Sequence, residues 1–178
     1  MEFQALMEAR RTVRAYDASK TVTKEQVMDL ITAAQQAPSW KNTETGRYYV
    51  VLDEGERKSF SAECLPEFNQ VRSKGAAYIV TAFKSNLSGF NQDEIPDNEC
   101  GNGWGFYDLG LQNENLILRA KEMGLDTLIM GIRDGEKIRK KLNIPEEETV
   151  VSVIAVGYGT ESPKKPVRKE LDTIVKFI

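Results

Sequence analysis

At 178 residues the chain has one domain's worth of sequence, enough to bury a core without disulfide or metal staples. Hydrophobic residues make up 40% and charged residues 29%, and a net charge of −3 at pH 7 argues against nucleic acid as the main partner. No apolar run approaches the roughly 18 residues that a membrane span needs, so no membrane partner is expected.

The opening segment, MEFQALMEARR, carries acidic residues and no apolar stretch of the kind that begins an exported protein, so a cytoplasmic location is expected. Within it Phe3, Leu6, Met7 and Arg10 fit a short helix. Thr23 followed by Gln26 forms a capping box, after which Val27, Leu30, Ile31 and Ala34 mark one helical face. Pro38 stops that helix near Ala37. Tyr48 to Leu52 and Ala77 to Phe83 read as short buried strands, rich in β-branched and aromatic residues. Between them 54–73 reads as helical, broken at Pro66.

Residues 84–105 are polar, contain glycines and Pro96, and are predicted as a long surface loop, which is more often functional than idle. The next helix, about 105–123, places Phe106, Leu109, Leu116, Ile117, Ala120 and Met123 on one face and Tyr107, Leu111 and Leu118 on the opposite one. A helix apolar on two sides needs cover on both, and a second subunit is one source of it. Gly124 ends it as a C′ glycine. A strand at about 127–131, a helix opened by Asp134 with Ile138 and Leu142 inward, and a buried strand from Val150 to Val156 follow. The tail, with Pro163, Pro166 and a basic run, suits an arm laid on a partner. With no repeat or linker in sight, the irregular alternation predicts one α+β domain over residues 1–178.

Two absences restrict the chemistry. Without histidine there is no Ser–His or Cys–His pair and no histidine metal site, and Cys64 and Cys100 lie too far apart for a CxxC motif. Both cysteines read as packing or surface thiols, no metal site is expected, and redox chemistry would have to come from a cofactor. Gly101, Gly103 and Gly105 lack dinucleotide-fingerprint spacing and follow no strand, and Gly157 and Gly159 precede no helix, so both groups read as turns. Arg10, Arg11 and Arg14, with Thr12 between, admit two readings. They could complement a helix dipole at about 0.3–1 kcal/mol each, or hold an anion through planar guanidinium forks and a hydroxyl. Lys164, Lys165, Arg168 and Lys169 could serve the same anion or simply be solvated. Ala37-Pro38-Ser39-Trp40-Lys41-Asn42 reads by itself as a helix stop with local side-chain bonds.

Taken in order, these segments resemble the nitroreductase family of FMN-dependent oxidoreductases. Arg10-Arg11-Thr12-Val13-Arg14 is similar to its RRSxR signature, and Ala33-Ala34 with Ala37-Pro38-Ser39 and Asn42 to its AAxxAPSxxN helix end. Gly124-Leu125 through Met130-Gly131 resembles its GLxxxxMG turn, and Leu142-Asn143-Ile144-Pro145 its LxIP. Val156-Gly157-Tyr158, Arg168 and Leu171-Asp172 resemble its closing GY…R..LD. Each motif is weak alone; their collinearity over nearly the whole chain is what carries the resemblance.

The resemblance implies a central, mostly antiparallel sheet flanked by helices, in an intertwined homodimer with FMN at the interface. Carried over by position, Arg10, Thr12 and Arg168 would hold the phosphate with Arg11 nearby, and Arg14 would sit toward the pyrimidine end of the ring. Ser39 and Asn42 would reach the flavin from the partner subunit, Met130 and Gly131 would line the ring and its N5 edge, and Asn69 and Arg72 would touch it. No side chain is implied as catalytic, because the flavin carries the chemistry. The implied activity is ping-pong transfer of electrons from NAD(P)H to a small organic acceptor, nitroaromatic or quinone-like. The alternatives are a non-catalytic FMN sensor or store, and a specialised flavin reaction such as dehalogenation. Two departures stand out: Thr43-Glu44-Thr45-Gly46 replaces a QPW-like turn, and 84–105 is shorter than the cover many members place over the flavin.

Overall fold

The capping box forms as its residues dictate. The Thr23 side chain accepts from the Gln26 N–H at 3.2 Å and the Gln26 side chain accepts from the Thr23 N–H at 3.0 Å, opening α2 (Lys24–Gln35). In this computed structural model, which describes residues 2–178, α1 (Phe3–Ala9) precedes it. After α2 come β1 (Gly46–Val51), α3 (Glu54–Cys64), α4 (Glu67–Arg72) and β2 (Ala77–Lys84). They are followed by α5 (Gly103–Glu122), β3 (Asp126–Met130), α6 (Gly135–Leu142) and β4 (Glu148–Gly157). Pro66 separates α3 from α4, and Gly124, at φ 76°, follows α5 in the left-handed conformation expected of it.

The strands form one sheet in the order β1-β2-β4-β3 with every pair antiparallel. The expected central antiparallel sheet flanked by helices is what the chain builds. Strand periodicity divides the core into two layers. Tyr78, Val80, Leu128, Met130 and Val153 face Phe60 of α3 and Ile138 of α6. Ala77, Ile79, Ile154 and Val156 face Leu30 of α2 and Leu116 of α5. β1 is only half-buried along most of its length, because it is an edge strand. On the other edge Thr12 bridges Thr127 in parallel, and the Val13 N–H donates to the Thr127 carbonyl at 3.1 Å.

α5 departs from its sequence reading in three ways. Gly103 and Gly105 are not turn glycines but occupy its first turn, and a Cβ on Gly105 would come within 2.3 Å of the buried Phe83 ring. Phe106 leaves the core face; it meets Phe83 edge-on at 4.9 Å between centroids and is half exposed. The second face is covered partly within the chain, since α1 packs along α5 and Leu118 is buried, while Tyr107 stays exposed. The tail from 160 onward is extended apart from a 3-10 turn at Leu171–Thr173, with Val167 and Phe177 almost fully exposed. Among the described residues no helix is long and apolar enough to cross a membrane.

Burial raises the Tyr49 phenol from 10.0 to about 12, helped by the hydrogen bond it donates to Glu148 Oε2 at 2.7 Å. Burial pushes Tyr48 and Tyr16 in the same direction. The folded state holds Tyr49 protonated, so its contribution is intact below pH 10 and declines as pH rises through the window from 10.0 to about 12. Urea midpoints across that window should fall with pH, and Tyr49→Phe should flatten part of the fall. An unchanged slope in that variant would remove Tyr49 from the account.

Candidate functional site

Where α1 ends, the chain turns extended at Arg10 (φ −60°, ψ 132°). Arg11 curls back so that its Nη1 donates to the Glu8 and Arg10 carbonyls at 2.5 and 2.6 Å. Of the three arginines it is the one that caps the helix and complements its dipole. Val13 is buried, as the alternation of an extended segment beside β3 requires.

Arg10, Thr12 and Arg14 instead line a cavity of about 320 Å³ together with Met7 and Arg11. Its other wall comes from far along the chain: Pro163, Lys164, Lys165, Pro166 and Arg168. No carboxylate lines it, and among the described residues none of its cations is in a salt bridge. Glu161 accepts from the Arg14 backbone N–H at 2.5 Å at the edge of this group, but six cations outweigh it, and such a concentration in a chain of net charge −3 suits a phosphate-class dianion, for which arginine's fork offers paired donors.

A second group lies along β3. Four residues separate Thr127, beside Thr12, from Gly131, a distance of about 13 Å at strand rise. Met130 turns its side chain into the core, against the expectation that it would line a ring, because strand alternation points it to the α3–α6 side. Gly131 is open, with nothing within 4 Å of where a Cβ would stand. Asn69 is buried on α4 and donates through Nδ2 to the Ile132 carbonyl at 2.9 Å, which pins the exit of β3. Arg72 lies over the Phe68 ring at 5.4 Å and joins neither group.

Ser39 and Asn42 flank a short 3-10 turn, Trp40–Asn42, and do not line the basic cavity of their own chain. Ser39 Oγ accepts from the Glu44 N–H at 3.1 Å, and Asn42 Nδ2 donates to Glu44 Oε1 at 3.0 Å. Beside the turn, Trp40 packs on Trp104 at 4.5 Å between centroids, and Trp104 on Tyr107 at 5.6 Å. Sequence reasoning passed over Asp108, a buried carboxylate on α5 that holds this turn; the available signal was an acid inside the apolar run Phe106-Tyr107-Asp108-Leu109. Cys64 is buried, with its thiol pushed up by burial, and Cys100 is exposed; both are free.

The family model for the nitroreductase family matches residues 7–158. The chain belongs to the nitroreductase family. The match takes in every expected site residue except Arg168, whose place rests on the cavity geometry. YdgI of Bacillus subtilis (strain 168), which bears an NAD(P)H nitroreductase name, is 24% identical over 205 residues, covering 99% of this chain and 97% of YdgI. An Archaeoglobus fulgidus protein named for NADH dehydrogenase and NAD(P)H nitroreductase is 28% identical over 153 residues, covering 84% of this chain and 80% of its own length. Among nitroreductase-family folds, a structure from Exiguobacterium sibiricum 255-15, described as a nitroreductase in complex with FMN, superposes with a TM-score of 0.82 at 21% identity. That superposition covers 100% of this chain and 98% of the other, and at such identity it speaks to the fold alone.

Proposed function

We propose that this chain is an FMN-dependent oxidoreductase that carries electrons from NAD(P)H to a small organic acceptor, nitroaromatic or quinone-like, in the cytoplasm. The observation that carries this reading is the basic cavity, where two segments about 150 residues apart in sequence supply cations and no carboxylate is among the lining residues, Glu161 being bonded to the Arg14 backbone N–H beside it. Such a cavity fits the phosphate of FMN, with Arg10, Thr12, Arg14 and Arg168 as its holders. Arg11 is largely engaged in capping α1 and contributes its charge. Open space at Gly131, beside Met130 and next to the Ile132 carbonyl held by Asn69, would face the ring, and Arg72 would approach its rim. When bound, FMN would supply the electron-transfer chemistry for which Cys64 and Cys100, free and far apart, offer no dithiol pair. The names of YdgI and the A. fulgidus protein, and FMN in the E. sibiricum structure, support donor and cofactor.

The working unit in this reading is a homodimer. Ser39 and Asn42 stand outside the basic cavity of their own chain, so a partner's flavin is what they would serve. The extended, exposed tail and the open edge of β1 are complementary features, since an edge strand accepts an added strand through its unpaired backbone groups.

Purified protein should be yellow and release FMN on unfolding; colourless protein that takes up no added FMN would sink the assignment. With one flavin per site, donor and acceptor would use the same space in turn. Initial rates against one substrate at several levels of the other should then give parallel lines. Intersecting lines would contradict the shared site and leave the cofactor assignment standing. Flavin that binds but is never bleached by NAD(P)H would favour a carrier or sensor instead.

A further inference from the structure

Asp108 sits in the second turn of α5 and is 2% exposed. Its Oδ2 accepts two hydrogen bonds, from the Trp40 backbone N–H at 2.9 Å and from the Ser88 hydroxyl at 2.6 Å. An ionised carboxylate only accepts, so the Ser88 proton is committed to it. The Thr43 hydroxyl, 2.8 Å from Ser88 Oγ, is therefore the donor in that pair. Both ends of the turn thus lead to one buried carboxylate: Trp40 directly and Thr43 through Ser88.

Between those ends Lys41 and Asn42 stand at φ 47° and 56°, a left-handed pair with no glycine in it. Such a conformation persists only where its surroundings impose it. The local sequence does not favour it, and the exposed ion pair from Lys41 to Asp97, at 2.7 Å, is a weak restraint. α5, packed on both α2 and the sheet, is a rigid support for the carboxylate.

We propose that Asp108 is a positioning residue: through Trp40 and the Ser88–Thr43 relay it clamps the turn and sets Ser39 and Asn42 toward the flavin. This rests on the functional reading above. Asp108→Ala removes the acceptor and frees the turn to relax, whereas Asp108→Asn keeps an oxygen in the same place.

The test is FMN titration into apo wild type, Asp108→Ala, Asp108→Asn, Asn42→Ala and the Asp108→Ala/Asn42→Ala double variant. Thr81→Val is the control, since it removes a buried hydroxyl 2.8 Å from Ser152 Oγ in the central sheet, away from the turn. Asp108→Ala should weaken FMN about tenfold and change the visible circular dichroism of the bound flavin, with most of both restored in Asp108→Asn. The double variant should lose less than the sum of the two single losses, because Asp108 acts through Asn42 and only the Ser39 share remains to be lost. Thr81→Val should lower Tm and leave FMN affinity unchanged. Wild-type affinity in Asp108→Ala, additive losses in the double variant, or an equal FMN loss in Thr81→Val would each overturn the clamp. If Asp108→Ala does not fold, Ser88→Ala and Thr43→Val cut the same relay and should weaken FMN in the same direction; no change in either would overturn it. Should wild type bind no FMN, the functional reading fails. The clamp is then judged by amide exchange at Lys41 to Thr43, which Asp108→Ala should speed beyond Thr81→Val; equal protection would overturn it.

Discussion

Arg10→Ala and Arg168→Ala should each raise the FMN dissociation constant about 10- to 150-fold. That is the loss of roughly 1.5–3 kcal/mol expected when one charge-assisted, bidentate contact is removed. Both side chains line the same cavity with no carboxylate to neutralise them, so their charge is free to act on a ligand phosphate. Arg10→Lys should recover only part of the loss, because an ammonium keeps the charge and forfeits the planar fork. Arg11→Ala should cost less affinity and more stability, since its guanidinium is spent on the Glu8 and Arg10 carbonyls at the end of α1. Raising the salt concentration should narrow the gap between wild type and each variant, as screened contacts contribute less. Dissociation constants that stay at the wild-type value in both Arg10→Ala and Arg168→Ala would return these cations to the role of solvated charge.

Deleting residues 162–178 should convert the proposed dimer into a monomer, sedimenting below the 20.1 kDa of the full chain, and should abolish FMN retention. Val167, Leu171, Ile174 and Phe177 are exposed in the isolated chain, a run of apolar surface that a solitary protein does not keep in water without cause. Obligate interfaces commonly exceed about 2,000 Å², and removing an arm that supplies much of one leaves little folded dimer. Flavin loss should exceed that of Arg168→Ala, because the deletion removes Lys164, Lys165 and Arg168 together and separates the subunit carrying Ser39 and Asn42. Leu171→Asp with Phe177→Asp separates the two effects: the basic residues remain while the apolar contact is lost. The dimer should weaken in that variant, and flavin affinity should fall with it in proportion to the monomer formed. A truncated protein that remains a flavin-loaded dimer would show that neither the tail nor its cations serve as described.

Much of the fold was legible because its signals act within a few residues. Thr23 with Gln26, the stops at Pro38 and Pro66, Asp134 at the start of α6 and Gly124 after α5 each work through local geometry, and each stands where it was read. β2 was legible as a buried strand for the same reason, since both its faces are covered and its apolar run is nearly continuous. The composition of the site was also visible: two basic segments in an acidic, histidine-free chain point to an anion and away from side-chain redox chemistry.

What stayed hidden depends on partners distant in sequence. Gly103 and Gly105 looked like turn residues; for Gly105 the Phe83 ring, which occupies the space its Cβ would need, belongs to the preceding strand β2 and lies beyond the reach of local sequence. Met130 looked like a ring contact because a motif records identity and not which face of a strand a side chain takes. The opposite face of α5 invited a second subunit, yet α1 returns to cover part of it. The turn at Lys41 and Asn42 has the local side-chain bonds that were read there, but its hold from outside was hidden: a carboxylate 66 positions beyond Asn42, which reaches Trp40 directly and Thr43 through Ser88. Residue types and their short spacings therefore settled the elements and the kind of ligand. Only the packed chain decided which cations share a cavity and which turn is held, because close packing and buried hydrogen bonds join groups with no proximity along the chain.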